Sequence, residues 1–182
     1  MSRSSRATET AAAESPARSA GLLRDCTAGD AAAVSAIYNH YVERTTVTFE
    51  EDAVPVEEMA RRIVDGSGRF PWLVWEQDGA VLGYAYAAPW KSRSAYRHSV
   101  ETTVYLRADA TGKGLGTRLY RTLLERLRPL GVHCVIGAIA LPNPASVALH
   151  ERLGFVKIGR FQEVGLKFGR WLDVGYWEIR LP

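Results

Sequence analysis

Residues 99–119 read SVETTVYLRADATGKGLGTRL, and this stretch decides the fold class. Its first eight residues alternate in character, as is typical of a strand. Gly112, Gly114 and Gly116 form the loop that follows, and leucines then recur at helical spacing. A strand, a glycine-spaced loop and a helix in succession direct backbone N–H groups and the helix dipole at a bound anion. The stretch therefore predicts a phosphate-binding loop, although an ordinary tight turn can have the same glycine spacing.

The glycine spacing distinguishes this loop from two other phosphate-binding loops. Thr117 stands where the dinucleotide-binding fingerprint has its third glycine. Gly114 follows Lys113, whereas a P-loop requires Ser or Thr after its lysine. Neither a Rossmann-type nor a Walker-type nucleotide site is therefore predicted.

Helix and strand patterns alternate on both sides of this stretch, without internal repeats. Before it, the sequence predicts a strand at 21–26, a helix after Thr27, a helix at 56–64, and strands at 70–76 and 80–88 joined by an Asp78–Gly79 turn. After it, a helix ending at Gly131, a strand at 132–140, a helix from Asn143 to Gly154, and strands at 155–164 and 171–180 are predicted. This mixture predicts an α+β fold.

Length and composition favour one compact domain. The chain has 182 residues, of which 47% are hydrophobic, and this is enough apolar material for a single core. We assign the domain to residues 21–182 and interpret the Ser-, Ala- and Arg-rich residues 1–20 as a disordered tail. Because this tail lacks an apolar segment and contains Glu9 and Glu14, we expect neither a secretory signal nor a transit peptide.

Charge and cysteine usage exclude several classes of partner. The net charge is +3, and the cations are interspersed with acidic residues, so a nucleic-acid partner is not predicted. The apolar runs are shorter than the roughly 20 residues of a membrane-spanning helix. Cys26 and Cys134 lie far apart without metal-ligand spacing, so we expect reduced, buried thiols, a cytoplasmic location and no metal.

Two sets of side chains could carry chemistry. Asn143, Ser146 and His150 form one polar stripe on the predicted helix, which can face a cleft. They are equally compatible with a cap, a first-turn residue and a surface histidine. Glu101 lies within a strand, where burial would raise its pKa and let it accept a proton. An exposed strand residue or half of an ion pair would give the same pattern.

These signals occur in the order found in one known family. Residues 104–116, 143–146 and 149–155 resemble the acetyl-CoA-binding core of GNAT acetyltransferases. More narrowly, several motifs are similar to phosphinothricin N-acetyltransferases, namely NHY at 39–41, TVTF at 46–49, PWLV at 71–74, PWK at 89–91, AY at 95–96 and KFGRWLDVG at 167–175. The resemblance implies the GNAT acyl-CoA N-acyltransferase fold, a mixed bent sheet with splayed central strands flanked by helices.

The resemblance also implies roles for individual residues. Backbone groups of Val104, Tyr105 and Leu106 would pair with the pantetheine arm of acetyl-CoA. The coenzyme pyrophosphate would bind the amides of Gly112, Lys113, Gly114, Leu115, Gly116 and Thr117, and Asn143 and Ser146 would contact the coenzyme from the facing helix. Glu101 and His150 occupy the positions proposed for proton transfer. Two positions depart from many relatives, because Thr111 replaces Arg or Gln and His150 replaces Tyr; the phosphinothricin subgroup shares this histidine.

The amino acceptor is expected to bind beside the strand that carries Glu101. Residues 90–97 mix cations with aromatics, a composition that suits a carboxylate or phosphinate on an aliphatic stem and equally a solvated basic loop. The predicted acceptor residues are Arg93, Ala95, Tyr96 and Arg97 from this segment and, by the resemblance, Thr48 and Phe49.

The functional hypothesis is an N-acetyltransferase that uses acetyl-CoA as co-substrate and requires no metal. Its substrate would be the amino group of a small amino-acid-like molecule such as phosphinothricin, methionine sulfoximine or methionine sulfone. The alternatives are another amine, such as a free amino acid, a polyamine or a protein N-terminus, and a non-catalytic acetyl-CoA sensor. By the same resemblance the protein is expected to be a homodimer.

Overall fold

The computed structural model describes residues 21–182, so the tail predicted for residues 1–20 lies outside the described residues. The strands are β1 (Leu22–Asp25), β2 (Trp72–Gln77), β3 (Ala80–Pro89), β4 (Ser99–Leu106), β5 (Cys134–Leu141), β6 (Val156–Lys167) and β7 (Arg170–Arg180). The α-helices are α1 (Ala31–Arg44), α2 (Val56–Ser67), α3 (Leu115–Leu127) and α4 (Pro144–Arg152). Every element predicted within residues 21–182 is present, with ends that differ by a few residues.

The strands form one mixed sheet in the order β1-β2-β3-β4-β5-β7-β6. Within residues 21–182, β4 and β5 are the parallel pair, and the other neighbouring strands run antiparallel. A parallel connection requires a crossover, and α3 supplies it between these two strands. The predicted α+β class is therefore confirmed.

Helices cover both faces of the sheet, and each face has its own hydrophobic core. Leu119, Leu123 and Leu127 of α3 are buried on one face. Val34 of α1 and Ile63 of α2 are buried on the other. Full burial of such a side chain stabilises the fold by about 1.5–3 kcal/mol. The sheet that carries the site is consequently held from both sides.

The sequence predicts one of the two tight hairpin turns in the sheet and misses the other. Asp78 and Gly79 both have positive φ angles, 52° and 75°, which confirms the predicted turn between β2 and β3. Phe168 and Gly169 make the same kind of turn between β6 and β7, with φ angles of 51° and 69°. Phe is not a turn-forming residue, so the sequence left residues 165–170 outside the predicted strands. The register shifts between Lys157 and Lys167 also break the alternation that identifies a strand.

Both cysteines are predicted from the sequence to be buried, reduced thiols. Cys26 is a free, buried thiol whose pKa burial raises to about 12. Cys134 is also free but only half-buried, since it begins β5 at the end of the sheet. The prediction of a buried thiol is therefore confirmed for Cys26 and wrong for Cys134.

Among residues 21–182, no helix combines the length and apolar character required to cross a bilayer.

Candidate active site

A cleft opens in the middle of the sheet where β4 and β5 separate. The two strands pair only at Ser99 with Cys134, Val100 with Val135, and Glu101 with Ile136. Beyond that point β4 stays paired with β3 as far as Leu106, and β5 stays paired with β7 as far as Leu141. Each strand therefore presents an unpaired row of backbone groups to the other, and an extended chain can bind between them.

A cavity of about 630 Å³ occupies this cleft and extends to the glycine loop and α4. Of the predicted coenzyme-binding residues, the structure brings nine to its wall: Val104, Tyr105, Leu106, Gly112, Gly114, Gly116, Thr117, Asn143 and Ser146. Lys113 and Leu115 do not line it. Lys113 Nζ donates to the Asp109 carbonyl oxygen at 2.8 Å, and the Leu115 side chain is buried in the core.

The glycine loop ends in the free N-terminus of α3. Gly112 and Gly114 have φ angles of 74° and 77°, which side chains other than glycine rarely adopt. Gly114 is the N-cap, and no side chain caps the helix, so its first backbone N–H groups have no intrahelical partner. Gly116 and Thr117, in this first turn, line the cavity. Thr111 also lines it, and its hydroxyl donates to the Ala108 carbonyl oxygen at 3.0 Å.

The opposite wall is the first turn of α4. The Asn143 Oδ1 atom caps this helix by accepting from the Ser146 backbone N–H at 3.1 Å. Its Nδ2 group makes no hydrogen bond within residues 21–182 and is available to a ligand. Tyr41, which belongs to the NHY motif but was given no role from the sequence, also contributes, because its hydroxyl donates to the Leu106 carbonyl oxygen at 2.6 Å. Part of the predicted pantetheine-binding backbone is therefore already engaged by α1.

His150 lies at the cavity wall but is buried, with 4% of its surface exposed. Its Nδ1 atom lies 2.8 Å from the Ser146 carbonyl oxygen, which can only accept, so Nδ1 carries a proton. Its Nε2 atom lies 2.9 Å from the Tyr120 hydroxyl. Burial lowers the pKa of His150, while the bond to Ser146 opposes this shift. The imidazole is therefore neutral near pH 7, with Nε2 accepting from Tyr120.

Glu101 lies at the last paired position of β4, next to the point of divergence. Side chains alternate across a strand, so Glu101 projects to the face opposite Thr102, which contacts α3. Burial raises the pKa of Glu101, and the nearby Lys91 ammonium partly offsets that increase. The carboxylate makes no hydrogen bond within residues 21–182. It is a half-buried, unengaged base beside the cleft.

An aromatic cluster that sequence reasoning did not assign lies near Glu101. Trp90 and Tyr176 make an edge contact with ring centroids 5.8 Å apart, and Phe161 contacts Tyr176 at 5.4 Å. The Lys91 ammonium lies 4.6 Å from the centroid of the Trp90 ring. Burial raises the pKa of Tyr176, and the Glu101 charge contributes to that increase. Tyr176 comes from β7, and its proximity to residues 90–91 depends on strand order rather than on any local motif.

The predicted acceptor residues fall into two groups. Arg93, Ala95, Tyr96 and Arg97 lie on an exposed connection between β3 and β4, which contains a short 3₁₀ turn. Arg97 donates to the Ser94 carbonyl oxygen at 3.4 Å, and no ion pair joins this connection to Glu101 among the described residues. These four residues precede Glu101 closely in the sequence, and the structure places them at the surface. Their role in binding the acceptor stays a prediction.

Thr48 and Phe49 lie in the loop between α1 and α2, against the β6–β7 hairpin. The Thr48 hydroxyl lies 2.8 Å from the Tyr38 hydroxyl, and the Phe49 ring packs so closely on Gly165 that a Cβ atom there would lie 2.5 Å from Cζ. The Lys167 ammonium donates to the Thr48 carbonyl oxygen at 2.8 Å. Lys167 is almost fully buried, and this desolvation lowers its pKa, against the effect of nearby acidic residues. The hairpin thus fixes the loop that carries both predicted residues.

Comparison with known proteins agrees with this geometry. Residues 23–175 match the acetyltransferase (GNAT) domain. This protein belongs to the GNAT acetyltransferase family. The GNAT protein is 43% identical over 164 residues to phosphinothricin N-acetyltransferase from Streptomyces viridochromogenes, covering 90% of each chain. It is 41% identical over 163 residues to an L-methionine sulfoximine/L-methionine sulfone acetyltransferase from Pseudomonas paraeruginosa, covering 87% of this chain and 94% of that protein.

A solved structure confirms the predicted fold of this GNAT protein. YncA from Salmonella typhimurium, a putative acetyltransferase solved with its cofactor acetyl-CoA, superposes with a TM-score of 0.88 at 34% identity. The match covers 90% of this chain and 95% of that one. The GNAT fold was predicted from the glycine loop and the motifs around it, and it is confirmed over nearly the whole described chain.

Within residues 21–182, no group of three or more His, Cys, Asp and Glu side chains is placed to hold a metal ion. A reaction without a metal therefore stays a prediction from the sequence. The side chains available for chemistry at the cleft are those of Glu101, His150 and the hydroxyl groups around them.

Proposed function

We propose that this protein transfers the acetyl group of acetyl-CoA to the amino group of a small amino-acid-like substrate. The substrates that we propose are phosphinothricin, methionine sulfoximine and methionine sulfone. One observation carries the proposal: an unengaged carboxylate, Glu101, lies at the point where the strands separate around a cavity that ends in a glycine loop. The names of the relatives support this substrate class.

The coenzyme would bind along the cavity. The free N–H groups at the start of α3 would hold its pyrophosphate, since a helix N-terminus with an uncapped first turn favours an anion. The unpaired edge of β4 at Val104 and Tyr105 would bind the pantetheine arm as an added strand. A backbone N–H on the same edge would stabilise the oxyanion that develops on the acetyl carbonyl.

The amine would react at the Glu101 end. A substrate ammonium must lose a proton before its nitrogen can attack, and Glu101 would take that proton through a water molecule. The nitrogen then forms a bond to the acetyl carbon as the C–S bond breaks. Of the two protons lost by the ammonium nitrogen, one ends on the coenzyme A thiol and the other in solvent.

The acceptor side chain would lie between the aromatic cluster and the hairpin. Trp90 and Tyr176 would contact the aliphatic stem, and Lys91 carries a cation that suits a carboxylate. Phe49 and Thr48 would close the other side, and Arg93 and Arg97 would reach the substrate only if their exposed connection folds over it. Such an arrangement would suit a small molecule better than an extended peptide.

A steady-state panel tests the proposal. Phosphinothricin, methionine sulfoximine and methionine sulfone are assayed with acetyl-CoA, against ordinary amino acids, a polyamine and a peptide with a free N-terminus. We expect the first three to have the highest kcat/KM. A higher kcat/KM for the peptide or the polyamine would contradict the proposed substrate class. Acetyl-CoA binding without thiol release on any of these amines would identify a sensor.

We also propose a cytoplasmic homodimer. Seven apolar side chains of the last hairpin are at least half exposed: Val156, Ile158, Phe161, Val164, Leu166, Phe168 and Trp171. They lie on and beside β6, the edge strand of the sheet, which favours a second copy as the partner. Sedimentation at micromolar concentration should give a dimer that Trp171→Lys weakens, whereas a wild-type monomer would refute the proposal.

A further inference from the structure

A chain of buried hydrogen bonds lies where β4 and β5 separate. Thr102 is the first residue of β4 beyond the last β4–β5 pair, and its Oγ1 atom lies 2.5 Å from the Tyr120 hydroxyl and 3.4 Å from the Ile136 carbonyl oxygen. Tyr120 in turn contacts His150 Nε2, and His150 Nδ1 donates to Ser146. The chain therefore joins β4, β5, α3 and α4, the elements that surround the cleft.

The direction of these hydrogen bonds follows from the groups that can only accept. Because the Ser146 carbonyl accepts from Nδ1, the neutral imidazole must accept at Nε2, so the Tyr120 hydroxyl donates to His150. The Tyr120 oxygen then accepts the single hydroxyl proton of Thr102, and the Ile136 carbonyl oxygen, 3.4 Å from Thr102 Oγ1, is left as a weaker contact. Each polar atom has a partner, and Tyr120, Thr102 and His150 are all at most 4% exposed. A buried chain in which every group is satisfied specifies one geometry, since any broken link leaves a buried polar group unpaired.

Packing also fixes the rings of His150 and Tyr120 beside the separating strands. The His150 ring lies directly against the backbone of Gly137, where a Cβ atom would lie 2.4 Å from Nε2. Gly137 is the first residue of β5 beyond its last pair with β4. The ring is held from its other sides by Tyr120 and Phe155, with centroids at 5.1 and 5.0 Å. Imidazole and phenol thus fill the space under the point of divergence.

We propose that Thr102, Tyr120 and His150 form a wedge of positioning residues that sets where β4 and β5 separate and thereby seats the acetyl-bearing end of the coenzyme. Thr102 and His150 line the cavity at the end opposite the glycine loop, where the acetyl group must lie to be near Glu101. His150 acts here as a neutral spacer and hydrogen-bond acceptor rather than as the acid that protonates the thiolate. The inference rests on the proposed function and adds Tyr120 and Thr102 to it.

Two conservative variants test the wedge. Tyr120→Phe removes only the hydroxyl and keeps the ring packing, and Thr102→Val removes the hydroxyl while keeping the shape. In each, we expect the Kd for coenzyme A by calorimetry and the KM for acetyl-CoA to rise roughly 5- to 10-fold, as for loss of one buried hydrogen bond. The KM for the amine should change less than twofold. Thr102→Ser, which keeps the hydroxyl, should restore most of the coenzyme affinity.

A matched control separates the wedge from general loss of stability. Tyr84→Phe removes another buried tyrosine hydroxyl, on β3 in the core of the opposite face, and should leave coenzyme affinity unchanged. In the double variant Tyr120→Phe/Thr102→Val, the Kd for coenzyme A should rise by less than the product of the two single increases, because both substitutions break the same chain of hydrogen bonds.

The outcomes distinguish this inference from the proposed function. Unchanged coenzyme affinity in both hydroxyl variants would overturn the wedge, and a fall in kcat alone would assign the chain to proton transfer instead. If Tyr120→Phe fails to fold, the comparison of Thr102→Val with Thr102→Ser decides. Failure of the wild-type protein to bind coenzyme A would overturn both proposals, whereas binding without acetylation of any amine would refute only the proposed function.

Discussion

The proposed coenzyme side and the proposed acceptor side of the cleft are built in different ways. On the proposed coenzyme side, the cavity is lined mostly by short continuous segments within residues 102–106, 111–117, 138–140 and 143–152, and backbone N–H groups of the glycine loop would bind the anion. On the acceptor side, side chains from distant parts of the chain meet, as where Lys167 contacts Thr48 across 119 positions. Backbone sites depend on glycine and helix ends, whereas side-chain sites depend on the order of strands.

This difference predicts how each side responds to mutation. Changes on the coenzyme side should affect acetyl-CoA and leave the amine nearly unaffected, because the loop geometry serves only the coenzyme. Changes on the acceptor side should raise the KM for the amine and leave the KM for acetyl-CoA nearly unchanged. Glu101 lies at the boundary and should affect the chemical step itself.

The largest effect is expected at this boundary. Glu101→Gln keeps the shape and removes the basicity, so kcat/KM should fall by roughly 10²–10⁴, the usual contribution of a general base. The Kd for coenzyme A should barely change. The wild-type rate should rise with pH through the ionisation of Glu101, whose pKa burial raises, and the variant should lose that limb.

Glu178→Gln is the matched control for this experiment. Glu178 is half-buried on β7 and lies opposite Ile136, the residue that pairs with Glu101. Its substitution should leave the pH profile unchanged. A raised amine KM with a surviving pH limb in Glu101→Gln would make Glu101 a binding group for the ammonium, and normal turnover would make it structural.

The next effect concerns the glycine loop. Gly114→Ala should raise the KM for acetyl-CoA about tenfold or more, with a much smaller change for the amine, because the side chain meets the approaching pyrophosphate and strains the loop. Gly79→Ala is the control, since Gly79 has nearly the same φ angle and nothing within 4 Å of a Cβ atom. Equal effects on both substrates at Gly114 would make the loop purely structural.

A smaller effect is expected on the acceptor side. Lys167→Met removes the bond that fixes the Thr48 carbonyl, so the amine KM should rise roughly 3- to 10-fold while the acetyl-CoA KM stays constant. Lys157→Met, on the same strand but exposed, should change neither constant. Steady-state kinetics with each substrate varied in turn will show the difference, and a coenzyme effect at Lys167 would contradict the division between the two sides.

The smallest effect is on stability. A pKa raised by folding contributes stability that is present below the unfolded pKa and is lost as pH rises through the folded pKa. At neutral and higher pH, the buried Glu101 charge is therefore a net cost, and Glu101→Gln should have a higher Tm than wild type at about pH 8. The difference should disappear towards about pH 4, and a lower Tm for the variant at pH 8 would contradict this interpretation.

The acceptor side also shows the limits of sequence patterns. The mixture of cations and aromatics at residues 90–97 predicts an acceptor-binding segment, and the structure places Arg93 and Arg97 of that segment at the surface. Tyr176, which lies by Trp90, carried no local signal because its neighbours depend on how β7 inserts between β5 and β6. A pattern indicates residue types suited to a ligand, and the sheet decides which of them meet.

The sequence by itself determined the fold class and nearly all elements, and it indicated many of the residues that line the cleft, because glycine conformation, helix caps and strand alternation act between residues close in the chain. Only the tertiary structure decided that Tyr120 and Thr102 engage His150, that Lys167 holds the Thr48 loop, and that Cys134 is half-exposed. These contacts join residues separated by 18 to 119 positions, so they exist only once strands and helices have packed. The protonation of His150 also follows from that packing. Burial lowers its pKa, and the Ser146 carbonyl oxygen holds the remaining proton on Nδ1, neither of which the sequence shows.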